Sequence, residues 1–284
     1  MRKGRLFGVT LVCCAIGLGL KAPGRAACRA EEVLVVEQDY SIVRRDREGV
    51  AAKDTRQKLY LAKDWLRIDE FRPDSRQPAE TYLIDLTKRL IVNLDNENLT
   101  KSVESFEKRQ ERIEERKRKV RSDLENLPEG PQKEKTRELY RGLLDDRRSF
   151  KLVREKDAEK KTIADVECSP IKVIATDEPG YVPYSAYLHP EVELPYDSPE
   201  VLYLLQIIGA RMRDFLAKNK GQLRRLPMEM SLDVAAGGKL HASVVSVSKV
   251  DRRKLDPNLH LVPEGYKEKA VPEPPKPPAK AQPD

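Results

Sequence analysis

Apolar residues fall on alternate positions in several short runs between residues 33 and 94. Successive side chains of a strand point to opposite faces of a sheet, so each run predicts a strand with one apolar face. Short polar turns such as Lys63-Asp64 and Thr87-Lys88 separate the runs. The pattern therefore predicts an antiparallel meander with one apolar and one solvated side. The alternating residues of the first, third and fourth runs are Leu34, Val36, Tyr40, Ile42, Leu66, Ile68, Tyr82 and Ile84.

The spacing of the apolar residues changes at about residue 103. From Phe106 to Leu127 they recur every seven positions, and Glu, Lys and Arg fill most of the places between them. This spacing predicts a helix with a thin apolar stripe, and further leucines predict a second helix that reaches towards Phe150. We interpret residues 103–149 as an inserted, charged helical hairpin. It is either a solvated spacer held by pairs of opposite charges or an arm that docks a partner.

Alternation resumes in the second half of the chain, over residues 166–175 and 182–188. Ser198-Pro199-Glu200 is typical of a helix start, and the stripe that follows predicts a helix over 201–216 that lies against the sheet and is closed by Gly221. Two last strands are predicted over residues 228–234 and 240–250. Residues 267–284 are dominated by Pro, Lys, Ala and Glu and predict a disordered tail. Residues 31–266 are thus expected to form one domain.

The first thirty residues have the three parts of a secretory signal peptide: a basic start, an apolar run from Leu6 to Leu20, and small residues up to Ala30. The apolar run is shorter than the ~18 residues of a membrane span, so we expect removal after Ala30 or after Ala26. Acylation of Cys28 as a lipoprotein anchor is the less favoured alternative. The pattern predicts a periplasmic or envelope location with no stable transmembrane anchor.

Removal of residues 1–30 changes the charge and the cysteine count. The whole chain has a net charge of +7, but these residues hold six basic and no acidic side chains, which leaves 48 basic against 47 acidic residues, a net +1. That balance argues against nucleic acid as a partner. Cys13 and Cys14 would also be lost, so no disulfide framework is expected.

The sequence contains no arrangement that is typical of an active site. The three histidines, His189, His241 and His260, stand far apart, and no metal-ligand spacing, nucleophile elbow or phosphate-binding glycine loop is present. No catalytic residue, metal or cofactor is therefore predicted. An enzyme that uses Cys168 is a minor alternative, because Glu167, Ser169 and Pro170 offer no basic surroundings to activate a thiol.

Two segments resemble secreted bacterial proteins related to the LolA/LppX-like lipoprotein-carrier half-barrel superfamily. Residues 162–168, followed by Ile171 and Val173, resemble the family's "tIaGykC...v" strand, with Asp165 in place of the glycine. Residues 255–266 resemble its closing "dpslFevPeGY" segment, with His260 in place of an aromatic residue. The resemblance covers about residues 32–266.

The resemblance implies an α+β fold in which a curved, unclosed antiparallel sheet is covered by helices. In characterised relatives the hollow accepts lipids or the acyl chains of lipoproteins. We therefore expect a non-enzymatic envelope protein that binds a hydrophobic ligand or a lipidated partner, with the eight alternating residues listed above as its lining. The same residues would equally fill a closed core.

The alternative function is a structural or interaction module of the cell envelope. In that case the charged hairpin and the Pro/Lys-rich tail would contact envelope protein partners, and the sheet would serve only as their scaffold.

Overall fold

The computed structural model describes most of the chain from residue 31 to residue 269. The described residues are 31–44, 51–140, 144, 149–154, 159–177, 180–196, 198–204, 210–236 and 239–269. The predicted signal peptide, residues 141–143 and 145–148 of the predicted hairpin, the Gly237-Gly238 junction and residues 270–284 of the predicted tail lie outside them.

Thirteen strands form a mixed α+β fold with one large, mostly antiparallel sheet. The strands are β1 (Glu31–Arg44), β2 (Ala51–Leu61), β3 (Trp65–Phe71), β4 (Glu80–Asp85), β5 (Leu90–Asp95), β6 (Thr100–Ser105), β7 (Phe150–Val153), β8 (Lys161–Ile163), β9 (Val166–Ala175), β10 (Tyr184–Glu193), β11 (Arg225–Ala236), β12 (Lys239–Leu255) and β13 (Lys267–Glu268). Their order is β13-β6-β5-β4-β3-β2-β1-β12-β11-β10-β9-β7, and β8 pairs with β9 alone. The described strands β13 and β7 lie at opposite ends of this order, so the sheet is unclosed.

The predicted meander of β1 to β5 is confirmed, and β6 extends it by one strand that the sequence pattern did not predict. The only parallel neighbours among the described strands are β13 and β6. The last two predicted strands are also confirmed, as β11 and β12. Because Lys267 and Glu268 pair with β6, the ordered chain extends past the predicted domain end at residue 266.

The helices lie between β6 and β7 and between β10 and β11. They are α1 (Phe106–Asn126), α2 (Pro131–Leu139), α3 (Ser198–Leu204), α4 (Ala210–Lys218) and the single turn α5 (Lys220–Leu223). The Ser105 side chain caps α1 by accepting the Lys108 amide at 3.2 Å. Phe150, assigned to the second helix from its spacing, instead begins β7, and Gly221 lies inside α5 rather than ending a helix. In both places a neighbouring element determines the backbone conformation. The spacing of apolar residues along the chain does not show where that element lies.

Register places the alternating apolar residues of the meander on one face of the sheet. Leu34 pairs with Leu61, Leu61 with Leu66, Leu66 with Ile84 and Ile84 with Ile91. Phe106 of α1 and Val201 and Leu204 of α3 belong to the same buried cluster. We call this helix-covered side the inner face and the opposite side the outer face.

The outer face is covered by the chain's own C-terminal residues 256–269, which we call the C-terminal strap. Its 3₁₀ turn begins at Pro257, and the His260 ring stacks on Trp65 with ring centroids 5.2 Å apart. Arg67 donates to the Leu259 carbonyl at 3.0 Å, and the Tyr266 hydroxyl bonds to Asn96. The segment that resembles the family's closing motif is therefore a strap, and its His260 ring packs on Trp65.

Candidate functional site

The eight residues predicted to line a ligand site lie in strands whose pairing places them on the inner face. Leu34, Val36, Leu66 and Ile84 are at most 4% exposed and belong to the packed core. Tyr40, Ile68 and Tyr82 are half-buried, and the side chain of Ile42 lies outside those that the structure describes. Their role in ligand binding stays a prediction, but the four core residues are already in contact with protein.

The inner face changes from apolar to polar along the same strands. Beyond Val36 on β1, Gln38 donates to Gln57 at 2.8 Å, and Gln57 donates to Glu70 at 2.8 Å. Tyr82 donates to Glu80 at 2.9 Å, and burial followed by these carboxylates raises the pKa of the Tyr82 hydroxyl. The side chains at this polar end are hydrogen-bonded to one another.

A cavity of about 350 Å³ lies at the polar end, lined partly by Glu80, Asp95 and Glu97. Each of these carboxylates already has a partner. Glu97 pairs with Arg72 at 2.6 Å, Asp95 accepts the Asn98 amides, and Glu80 accepts the Tyr82 hydroxyl. Glu97 is thereby paired with an arginine, whereas Asp95 and Glu80 accept hydrogen bonds from neutral groups and keep their negative charge.

The apolar end of the inner face opens into a second cavity, of about 440 Å³. Leu34, Met228 and Val250 line it from strands β1, β11 and β12, and Val166 and Val192 add apolar surface from β9 and β10. We call this space the apolar-end cavity. Its other lining residues are Ala164, Asp165, His189, Ser248, Lys249, Asp251 and Arg252.

The β8–β9 hairpin forms one rim of the apolar-end cavity. Ile163 and Cys168 belong to the inner-face core and anchor the two strands of the hairpin. The turn residues Ala164 and Asp165 have φ angles of 48° and 64°, in the left-handed region that favours glycine. Asp165, which stands where the family motif has glycine, therefore adopts a backbone conformation that glycine favours.

His189 is a second rim residue, and hydrogen bonds fix its tautomer. Its Nδ1 atom accepts the backbone amides of Glu191 and Val192, both at 3.0 Å. A ring nitrogen that accepts hydrogen bonds carries no proton, so the proton of the neutral ring is on Nε2. Burial, aided by Arg225, lowers the pKa of His189 although Glu191 opposes the shift. The ring is therefore held as a neutral donor.

A buried polar cluster lies between α1 and α3 on the inner face. Lys117 is only 2% exposed and donates to Glu114 at 3.0 Å. Tyr203 of α3 donates to the same Glu114 oxygen at 3.0 Å, and the Arg213 guanidinium of α4 lies 4.5 Å from its ring centre. Burial and the neighbouring Glu114 raise the pKa of Tyr203 to about 12. The solvated-spacer interpretation is therefore wrong for α1, because one side of the helix is packed against α3.

The described residues offer binding surfaces rather than reactive groups. Cys168 is fully buried, its Sγ atom lies 3.3 Å from the Val166 carbonyl, and burial raises the pKa of its thiol. A nucleophilic cysteine needs the opposite shift. Within the described ranges, no three His, Cys, Asp or Glu side chains are grouped so that they could hold a metal ion. In that same part of the chain, no helix has both the length and the hydropathy that a membrane span requires.

Sequence reasoning missed Met228, Val250, His189 and Arg252 as members of one site. The alternation of apolar residues did place Met228 and Val250 in strands, and it was the one indication in the sequence that they belong to an apolar sheet face. Their meeting with Leu34 depends on the pairing of β1 with β12, two strands from opposite ends of the described chain. No local pattern encodes that pairing.

Comparison with known proteins returns no matching family model and no matching curated protein. Among solved structures, the chain is similar to a "putative outer membrane lipoprotein-sorting protein domain" from Vibrio parahaemolyticus. The match has 7% sequence identity and a TM-score of 0.30, and it covers 81% of this chain and 89% of that chain. These values are too low to transfer a detailed fold or a ligand.

Proposed function

We propose that this chain is a non-enzymatic envelope protein that binds a hydrophobic ligand, or the lipid portion of a lipidated partner, at the apolar end of a half-barrel. In this proposal the unclosed sheet is curved around its helices, and the signal peptide has directed the chain to the periplasm. The binding surface is the apolar-end cavity, with Leu34 as the one residue shared with the sequence-based set.

The apolar-end cavity is the observation that carries the proposal. Phe106, Val201 and Leu204 are buried in the core of the inner face, whereas Val166, Val192 and Val250 at the cavity are only partly buried. Its volume of about 440 Å³ lies within the range of roughly 300–1,000 Å³ that is usual for ligand pockets. Burial of an apolar chain there would release about 25 cal/mol for each Å² removed from water.

Uptake of a fluorescent fatty acid by protein expressed as the full chain and purified after export tests this proposal. The variant Val250→Trp places a large ring in the cavity and should weaken uptake at least tenfold. Val103→Trp is the matched control, because Val103 lies on the outer face and is 48% exposed. Thermal unfolding of both variants shows that each is folded.

Native mass spectrometry of the same protein, extracted gently, should reveal co-purified lipid. The proposal fails if the wild-type protein carries no lipid and takes up no fatty acid. It also fails if Val250→Trp and Val103→Trp bind the fatty acid equally well, since the ligand would then lie elsewhere.

A further inference from the structure

Some polar groups on the rim of the apolar-end cavity already have hydrogen-bond partners within the protein, and others are able to bind a ligand. Asp251 accepts the Arg253 guanidinium at 2.7 Å, and the Ser248 hydroxyl donates to the Glu37 carbonyl at 3.1 Å. These two groups therefore have partners outside the cavity. The remaining polar lining residues are Asp165, His189, Lys249 and Arg252.

Arg252 is the cation that the strand register brings to the inner face. It pairs with Leu34 across β1 and β12, whereas its neighbour Arg253 pairs with Val33, which belongs to the outer-face cluster. The ion pair between Arg252 and Glu32 spans 3.8 Å, beyond the usual hydrogen-bond distance. The guanidinium therefore retains donors for a ligand group at the mouth of the cavity.

His189 adds a hydrogen-bond donor, its Nε2 atom, to the same rim. Because its Nδ1 atom is occupied by two backbone amides, the neutral ring is able to donate from Nε2 but not to accept. An apolar floor with two donor groups at its rim matches a molecule with an apolar chain and an oxygen acceptor at one end. A guanidinium binds a carboxylate through paired hydrogen bonds that a neutral hydroxyl cannot reproduce.

From this arrangement, and resting on the function proposed above, we infer that the apolar-end cavity selects amphiphiles whose polar end is a carboxylate, held by Arg252 and His189. The chain of the ligand lies on the partly buried Val166, Val192 and Val250, and its head faces the mouth. Asp165 is the acidic residue on the rim opposite Arg252. Its carboxylate repels an anionic head group that comes close to it.

Three probes with the same apolar chain separate these contributions: decanoate, decanol and decylamine. Binding to the exported full chain is measured by displacement of a fluorescent fatty acid at two salt concentrations. We expect decanoate to bind about tenfold more tightly than decanol, which corresponds to about 1.4 kcal/mol, and the preference to shrink at high salt because the head is solvent-exposed. Decylamine should bind no better than decanol.

The variant Arg252→Gln should remove the preference for decanoate while leaving decanol binding unchanged. Arg253→Gln is the matched control, because it removes the same charge from the next position of the same strand on the opposite face. Addition of decanoate, but not of decanol, should also move the NMR signal of the His189 Nε2 proton.

Equal binding of decanoate and decanol, or an equal effect of the two arginine variants, would overturn this inference while leaving the proposed function intact. Tighter binding of decylamine would also overturn it and would assign the head-group contact to Asp165. If none of the three probes binds, the proposed function itself fails.

Discussion

The inner face of the sheet is closed by helices that contribute apolar side chains, whereas the outer face is closed by the C-terminal strap, which contributes specific polar contacts. Trp65 and Leu66 are adjacent in β3 and belong to the two different faces. Leu66 is 1% exposed and packs in the cluster that includes Val201 of α3. Trp65 is 4% exposed and stacks on His260 of the strap.

This difference accounts for an open cavity at the apolar end of the inner face. Apolar packing is not directional, so a face closed by it leaves space wherever the covering elements stop. The strap instead attaches at defined points, such as the contacts of Leu259 with Arg67 and of Tyr266 with Asn96. A strap of this kind fixes the position of the chain end, whereas the helices leave the mouth beside Leu34 uncovered.

The largest expected effect comes from Trp65→Ala, which should lower the free energy of unfolding by about 4 kcal/mol. It removes the ring on which His260 rests, so the strap should also become sensitive to protease. Leu66→Ala, the neighbouring change on the inner face, should cost about 3 kcal/mol and leave the strap protected. Chemical denaturation measures the free energy of unfolding of the two variants, and limited proteolysis measures the protection of the strap. Equal protection of the strap in the two variants would contradict the division between the faces.

Asp69→Ala should lower the free energy of unfolding by about 3 kcal/mol. Asp69 is 4% exposed and accepts hydrogen bonds from Arg67 at 2.9 Å and from Thr81 at 2.7 Å, so its loss leaves both donors without this acceptor. Asp251→Ala breaks an exposed pair with Arg253 and should lower the free energy of unfolding far less than Asp69→Ala. Urea unfolding of the two variants tests whether the buried polar contacts of the outer face are the stabilising ones.

Lys117→Met should raise the free energy of unfolding by about 1 kcal/mol. Lys117 is buried, but Glu114 keeps 44% of its side chain exposed and still accepts Tyr203, so the change leaves no buried unpaired charge. Methionine also keeps the length of the side chain, whereas Lys117→Ala should cost about 2 kcal/mol through the space it leaves. A marked loss of stability in Lys117→Met would show that the buried polar cluster, not apolar packing, holds α1 in place.

The smallest expected effect is a pH dependence of stability at the mouth of the inner face. The folded state lowers the pKa of His189, chiefly through burial. Below about pH 6.5, the usual value for histidine, the unfolded chain takes up a proton more readily than the folded chain. Stability should therefore fall as the pH drops from 7.5 to 5. Thermal unfolding across that range should show a shallower decline in His189→Gln than in His260→Gln, and equal slopes would contradict the assigned role of the Nδ1 contacts.

The pattern of the sequence was sufficient for the meander, because alternation is a local property that each strand carries by itself. Leu34, Val36, Leu66 and Ile84 were assigned to one face, and their pairing places them there. The helix stripe of Phe106, Ile113 and Val120 was also readable, and all three residues are buried. Lys117 was read as a solvated position, because the sequence does not state that Tyr203 and Glu114 surround it.

The sequence by itself determined most of the strands, the apolar face and the main helices of this protein, since propensity and periodicity act over a few neighbouring residues. Only the tertiary structure decided which apolar residues are filled core and which border a cavity. That distinction depends on where β12 pairs with β1, where the β8–β9 hairpin turns, and how far the helices reach across the inner face. The strap was visible as a motif from Leu255 to Tyr266, but its place on the outer face depends on Trp65 and Asn96, which are distant in the chain and adjacent only after folding.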